Sequence, residues 1–133
     1  MSTRTVLGLM AACCCLLSAC GSGEAAVQKA AQQRWDALIA GDFHRAYQFY
    51  SEAYQETVSL DSFRKQIQGV GFWKKAQVQK VHCGDSSNLC KTEVEVTVAM
   101  KMRGLPKPVE TSDVVREVWI KDGFFSDWRY VKK

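Results

Sequence analysis

The chain has 133 residues, a formal net charge of +4, 47% hydrophobic residues and 24% charged ones. That length suits one domain, and the apolar share is enough for a packed core, which excludes a chain that stays disordered. The basic surplus is small and spread along the sequence, so nucleic acid, which favours a concentrated basic stripe, is not an expected partner.

The N-terminus opens with the short polar stretch Met1 to Thr5, carrying Arg4, and continues into an apolar run from Val6 to Leu17 broken only by Gly8. A helix over that run rises about 18 Å, against the ~30 Å of a bilayer core. It therefore fits the core of an export signal better than a permanent transmembrane helix. Leu17-Ser18-Ala19-Cys20 resembles the bacterial lipobox, in which an apolar residue and two small ones precede the acylated cysteine. The resemblance implies that residues 1–19 are a removed signal peptide and that Cys20 carries the lipid. An ordinary secretory cut at an A-x-A-like site is the alternative. One acyl chain anchors only marginally, whereas the two or three of a mature lipoprotein hold durably. The expected address is the cell envelope. Gly21 follows the cysteine instead of an inner-membrane-retaining aspartate, so this is the outer membrane if the source is Gram-negative, otherwise the outer face of the plasma membrane.

Residues 20–24 are expected to be the lipidated cysteine and a flexible tether, on the strength of Gly21, Ser22 and Gly23. Residues 25–133 form the domain. Val27, Ala30, Ala31, Trp35, Leu38 and Ile39 recur at helical spacing, with Lys29, Gln32, Gln33 and Asp36 on the other face. Gly41 suits the stop of that helix and Asp42 the N-cap of the next, which shows Phe43, Ala46, Tyr47 and Tyr50 on one side. Ser59 opens a third helix with Leu60, Phe63 and Ile67 inward. The period changes after Gly69. Lys75 to Cys83 reads as a strand, and Val94, Val96, Val98, Met100 and Met102 alternate with Glu93, Glu95, Thr97, Ala99 and Lys101 as a half-buried strand. Gly104 to Pro108 is a wide turn, Val109 to Ile120 a strand, Lys121-Asp122-Gly123 a hairpin, and Phe124 to Val131 the last strand. Lys101, Arg103 and Lys107 are basic enough to meet anionic head groups, although solvated loop side chains are the plainer account. The order predicts an α+β fold of three N-terminal helices packed on a curved four-stranded antiparallel sheet.

Cysteine usage follows from the leader. The lipobox resemblance implies that Cys13, Cys14 and Cys15 leave with that leader and that Cys20 is acylated, so that only Cys83 and Cys90 remain in an oxidising compartment, where they are expected to pair. Their short loop gives about 2.5 kcal/mol of stabilisation in the chain-entropy picture. The spacing is not that of a CxxC redox motif, and with His82 the pair still lacks a fourth metal ligand. No metal and no cofactor are expected.

Trp35, then Gly41-Asp42-Phe43 leading into Ala46-Tyr47, resembles the opening of the nuclear-transport-factor-2-like superfamily, a group of small cystatin-like α+β cones. Glu117 to Ile120 with Asp122-Gly123 resembles its closing hairpin. The resemblance covers residues 25 to 133 and implies a curved sheet enclosing a cavity behind three helices. The superfamily holds isomerases, dehydratases and domains of no known activity, so fold alone assigns no reaction.

The acids weighed one by one each have a structural role: Asp42 as a cap, Glu93 and Glu95 on the solvated face, Asp122 in a turn, Asp36 off the apolar stripe, Asp61 in a helix first turn. His44 and His82 are scattered, and no nucleophile-plus-base set or metal motif exists. No catalytic residue is assigned, and an enzyme is not expected. A small isomerase or dehydratase is the lesser alternative, with Tyr47 or Tyr50 as a proton donor. The aromatic enrichment instead suggests a pocket wall of Trp35, Tyr47, Tyr50 and Trp119, rings with polar tips that come from facing elements. The expected function is a membrane-anchored, non-catalytic envelope domain binding a small apolar or amphipathic ligand. The alternative is a protein–protein interaction module, homodimeric or docking another envelope protein.

Overall fold

The computed structural model describes residues 22–67, 69–85, 88–123 and 126–133. The expected signal peptide, the stretch Leu17 to Cys20 that resembles a lipobox, and the expected lipidation at Cys20 lie outside the described residues. Four helices come first: α1 (Ser22–Ala40), α2 (Phe43–Gln48), α3 (Glu52–Thr57) and α4 (Leu60–Gln66). Four strands follow: β1 (Trp73–Cys83), β2 (Leu89–Met100), β3 (Val109–Lys121) and β4 (Trp128–Val131), in one antiparallel sheet of order β1-β2-β3-β4. The α+β class and the four-stranded sheet are as the sequence pattern predicts. The helix count is not.

The extra helix arises at Ser51. Its hydroxyl accepts from Tyr54 N at 3.4 Å, so it caps a new helix where the sequence reading carried one helix on to Tyr50. A second difference lies at the start of α1. The stretch expected to be a flexible tether is helical from Ser22, and Glu24 holds that first turn down. Its carboxylate complements the helix dipole and accepts from Cys83 N at 3.3 Å, the last residue of β1.

Each helix boundary has a local cause. Gly41 takes φ +74°, the left-handed stop that ends α1. Asp42 then accepts from Arg45 N at 3.1 Å, and Ser59 from Ser62 N at 3.2 Å. Val27, Ala31, Trp35 and Leu38 bury one stripe of α1 against Ala76, Val78, Val94 and Val96 of the sheet. The alternation in β2 holds through Val96 and then fails: Val98 is half-buried, Ala99 buried, and Met100 exposed. The change falls where Ala99 N donates to Phe72 O at 2.8 Å and the β1 register shifts between Trp73 and Lys75.

The sheet edges are unevenly covered. Gln32 of α1 acts as a strand mimic on the edge of β1, donating to Ala76 O at 2.8 Å and accepting from Val78 N at 3.1 Å. On β4, Tyr130 N donates to Phe49 O at 2.6 Å and Ser51 N donates to Tyr130 O at 2.9 Å, so the link between α2 and α3 closes that edge. Cys83 and Cys90 face each other across β1 and β2 and are disulfide-bonded, with Cα atoms 4.0 Å apart.

Candidate functional site

The interior behind the helices is built around a charge pair. Arg34 of α1 and Glu117 of β3 meet at 2.7 Å, with side chains only 6% and 1% exposed. Glu117 Oε1 also accepts from the Trp35 indole at 2.8 Å. Its Oε2 accepts from the Trp119 indole at 3.0 Å and from the Thr92 hydroxyl at 3.3 Å. Four donors thus converge on one carboxylate, two to each oxygen. Arg34 donates a second bond to Tyr50 Oη at 2.9 Å, and its guanidinium lies 3.8 Å from the Tyr130 ring centroid and 4.9 Å from that of Tyr50.

Burial alone would push the Arg34 guanidinium down. That is the largest single influence, but the Glu117 carboxylate, Tyr50 and Tyr130 together outweigh it, and the group ends above its ordinary value. Burial raises the Tyr130 phenol, with Arg34 opposing and Glu117 adding to the rise. Burial also raises Tyr54, with Tyr47 adding and Arg34 opposing. A carboxylate whose two oxygens are each occupied by two donors, in a side chain closed to solvent, has no lone pair turned toward a substrate. Its geometry is that of a structural hub.

The four residues expected to wall a pocket are placed differently. Trp35, Tyr50 and Trp119 are brought together around this hub, but as packed core: Trp35 6%, Tyr50 2% and Trp119 0% exposed. Tyr47 stands apart and half-buried, with its hydroxyl 2.5 Å from Val58 O, where it ties α2 to the end of α3. Tyr50 packs on Phe63 and Tyr130 at centroid distances of 4.9 and 5.1 Å. The Arg34–Glu117 pair and its rings fill the space behind the helices that an open cone would leave.

Open space lies elsewhere. Among the described residues, a groove of about 1380 Å³ opens at the end of the domain where α1 begins. Ala26 and Lys29 of α1, Phe49 after α2, Asn88 before β2, and Trp128 and Arg129 of β4 line it. Phe49 packs edge-on against Trp119 at 6.5 Å, so the groove floor rests on the buried hub. Arg129 is held on the rim, donating to Gln48 O and pairing with Asp127 at 4.0 Å. Ala26 is exposed, and the two alanines Ala26 and Ala30 keep the helix side of the groove low.

The sequence reading missed Arg34 and Glu117, and each carried a signal. Arg34 sits at positions seven and three after Val27 and Ala31 and four before Leu38, on the apolar stripe of α1. Glu117 lies two residues before Trp119, hence on the same strand face as a large ring. A polar residue on an apolar stripe is a candidate for a buried pair. His44 and His82 are exposed and on separate elements. Among the described residues, no cluster of three His, Cys, Asp or Glu is placed to hold a metal ion. Among them too, no helix is long and apolar enough to cross a membrane.

No family model matches the sequence, and no curated protein matches it. Solved structures do. A SEC-C motif containing protein from Rhodopseudomonas palustris superposes with a TM-score of 0.58 at 14% identity, over 82% of this chain and 77% of that one. A second SEC-C motif containing protein, from Psychrobacter arcticus, gives 0.53 at 14% identity over 82% of this chain. The chain spans 60% of the latter's length. At that identity the likeness is one of fold.

Proposed function

We propose that this chain is an envelope lipoprotein, cut before Cys20 and acylated there, whose domain is a non-catalytic binding module of the nuclear-transport-factor-2-like kind. Its ligand is amphipathic and sits in the groove beside the first turns of α1. The observation that carries this reading is the division of labour between interior and surface. The acid best placed for chemistry, Glu117, is consumed by four donors, while the open volume lies at the end of the domain where α1 begins, close after Cys20 in the sequence. Phe49, Trp128 and the alanines of α1 offer apolar contact there, and Lys29, Asn88 and Arg129 offer polar contact at the rim. A groove next to a lipid anchor faces the bilayer, the place where an amphipathic molecule is presented.

The test uses the full chain expressed in a bacterial host fed labelled palmitate. Label on the chain that disappears in Cys20→Ser supports the anchor, and unlabelled protein sinks it. Native mass spectrometry of the detergent-extracted chain then looks for a bound mass. Loss of that mass in Ala26→Trp, which fills the groove without touching the core, supports the groove as the site. A chain that carries no extra mass, or carries it unchanged in Ala26→Trp, overturns the ligand reading.

A further inference from the structure

The end of the domain away from the groove carries a different surface. Strands β1 and β2 run from the groove end to this tip, a length of about 37 Å at the usual rise per residue of β2. At the tip, Met100 pairs with Val109 across β2 and β3, and the turn between them closes through Leu105 N to Met102 O at 3.2 Å with Gly104 at φ +87°. Beside it lies the approach to β1, since Phe72 O accepts from Ala99 N. Phe72, Met102 and Leu105 are 52%, 55% and 54% exposed, and Val70, Met100 and Val109 stand out with them. An apolar group of this kind on one tip is unusual on a soluble surface and marks a contact site.

Its charge is one-sided. Lys101, Arg103 and Lys107 alternate with the apolar residues of the turn, Lys74 and Lys75 follow Phe72 at the start of β1, and all five are exposed. The turn holds no acid; the first, Glu110, lies on β3. None of these apolar residues belongs to the groove at the other end of the sheet. Exposed apolar side chains set among cations match a negatively charged surface with a fluid apolar interior, which needs no shaped cavity to receive them.

We infer that this tip docks on an anionic membrane surface, with Met102 and Leu105 entering the head-group boundary and Lys101, Arg103 and Lys107 meeting lipid phosphates. The tip stands at the opposite end of the sheet from the start of α1. Taken with the proposed anchor at Cys20, the chain then touches one membrane by its lipid and a second surface by its tip.

The full chain is reconstituted into neutral phosphatidylcholine vesicles, and fluorescent vesicles, either neutral or one-third phosphatidylglycerol, are added. Capture of the anionic vesicles alone, weakened by high salt, is the expected result. Lys101→Glu/Arg103→Glu/Lys107→Glu lowers capture about a hundredfold or more, since each lost cation near an anionic leaflet is worth roughly fivefold. Met102→Ser/Leu105→Ser also loses capture, while Lys91→Glu, an exposed charge change elsewhere, leaves it intact. No capture, or equal capture of neutral vesicles, overturns the proposal. Loss in the charge variant with full retention in Met102→Ser/Leu105→Ser also overturns it, and points to an acidic protein surface. If the chain does not stay with the first vesicles, the anchor reading fails on its own. The same comparison is then made by adding the chain directly to neutral and anionic vesicles.

Discussion

Arg34 and Glu117, 83 residues apart in sequence, share a 2.7 Å hydrogen bond at the centre of the domain and join the first helix to the third strand. Removing one charge strands the other in a medium that cannot solvate it, a loss of roughly 3–5 kcal/mol. Glu117→Gln is therefore expected to destabilise by about that much in urea denaturation, and Arg34→Met by a similar amount. The double variant Arg34→Met/Glu117→Gln is expected to lose clearly less than the sum, because no unpaired charge remains. A coupling of about 2 kcal/mol or more supports the hub. Strict additivity contradicts it.

The hub also shows where the sequence stopped being readable. Local signals were enough for the sheet and most boundaries: the Val94 and Val96 alternation, Gly41 with Asp42, and Ser59 each act through neighbours in the chain. Ser51 carried the same capping chemistry, but Tyr50 before it completes an apolar helical face, and the period outweighed the cap. The Arg34–Glu117 pair was out of reach for a different reason. Whether a charged residue on an apolar stripe is buried depends on its partner, and that partner lies on an element brought near only by the fold. The same cause moved Trp35, Tyr50 and Trp119 from an expected pocket wall to the core, since their polar tips found Glu117 and Arg34 and not a ligand.

Alkaline pH should weaken the fold through the tyrosines around Arg34. Tyr130 and Tyr54 have phenols raised above their ordinary value, chiefly by burial. As pH climbs past ~10, the unfolded chain releases these protons first, which favours unfolding. Their contribution is complete below that pH and is lost as pH rises through the folded-state values. Arg34, also raised, acts in the same sense at still higher pH. The denaturation midpoint is expected to fall above pH ~10, and Tyr130→Phe to remove part of that fall. An identical pH profile in Tyr130→Phe would show that the ring's hydroxyl plays no part.

Reducing the Cys83–Cys90 bond should act at the groove end of the sheet. The bond closes a short loop between β1 and β2, and Asn88 in that loop lines the groove. The chain-entropy picture gives about 2.5 kcal/mol for such a loop. Urea denaturation with and without reductant is expected to differ by up to that amount. Hydrogen exchange should quicken at Lys91 and His82, next to the bond, while Val96 in the middle of β2 keeps its protection. Uniform loss of protection across the sheet would mean that the bond supports the whole domain and not its rim.

The uncovered part of β3 is an open sheet edge, and Asp113 is placed to oppose its pairing with a second copy. Among the described residues, β4 pairs only with Val118 to Lys121, so Val109 to Arg116 has β2 on one side and no strand on the other. Val109 and Val114 are exposed there, which makes the segment a template for a second copy. Asp113 opposes that in two ways. Its carboxylate takes the Val114 N–H at 2.7 Å, and its charge would stand directly against its own counterpart in an antiparallel pair centred on Asp113. Asp113→Val frees the N–H, removes the charge and lengthens the apolar edge. A hydrogen bond worth about 1 kcal/mol and the lost repulsion together predict association at least tenfold tighter than in the parent chain. Sedimentation velocity over a range of concentrations would read it, with Asp113→Lys expected to remain as monodisperse as the parent. Identical sedimentation of Asp113→Val and the parent at every concentration would mean that the edge is guarded by something other than this carboxylate.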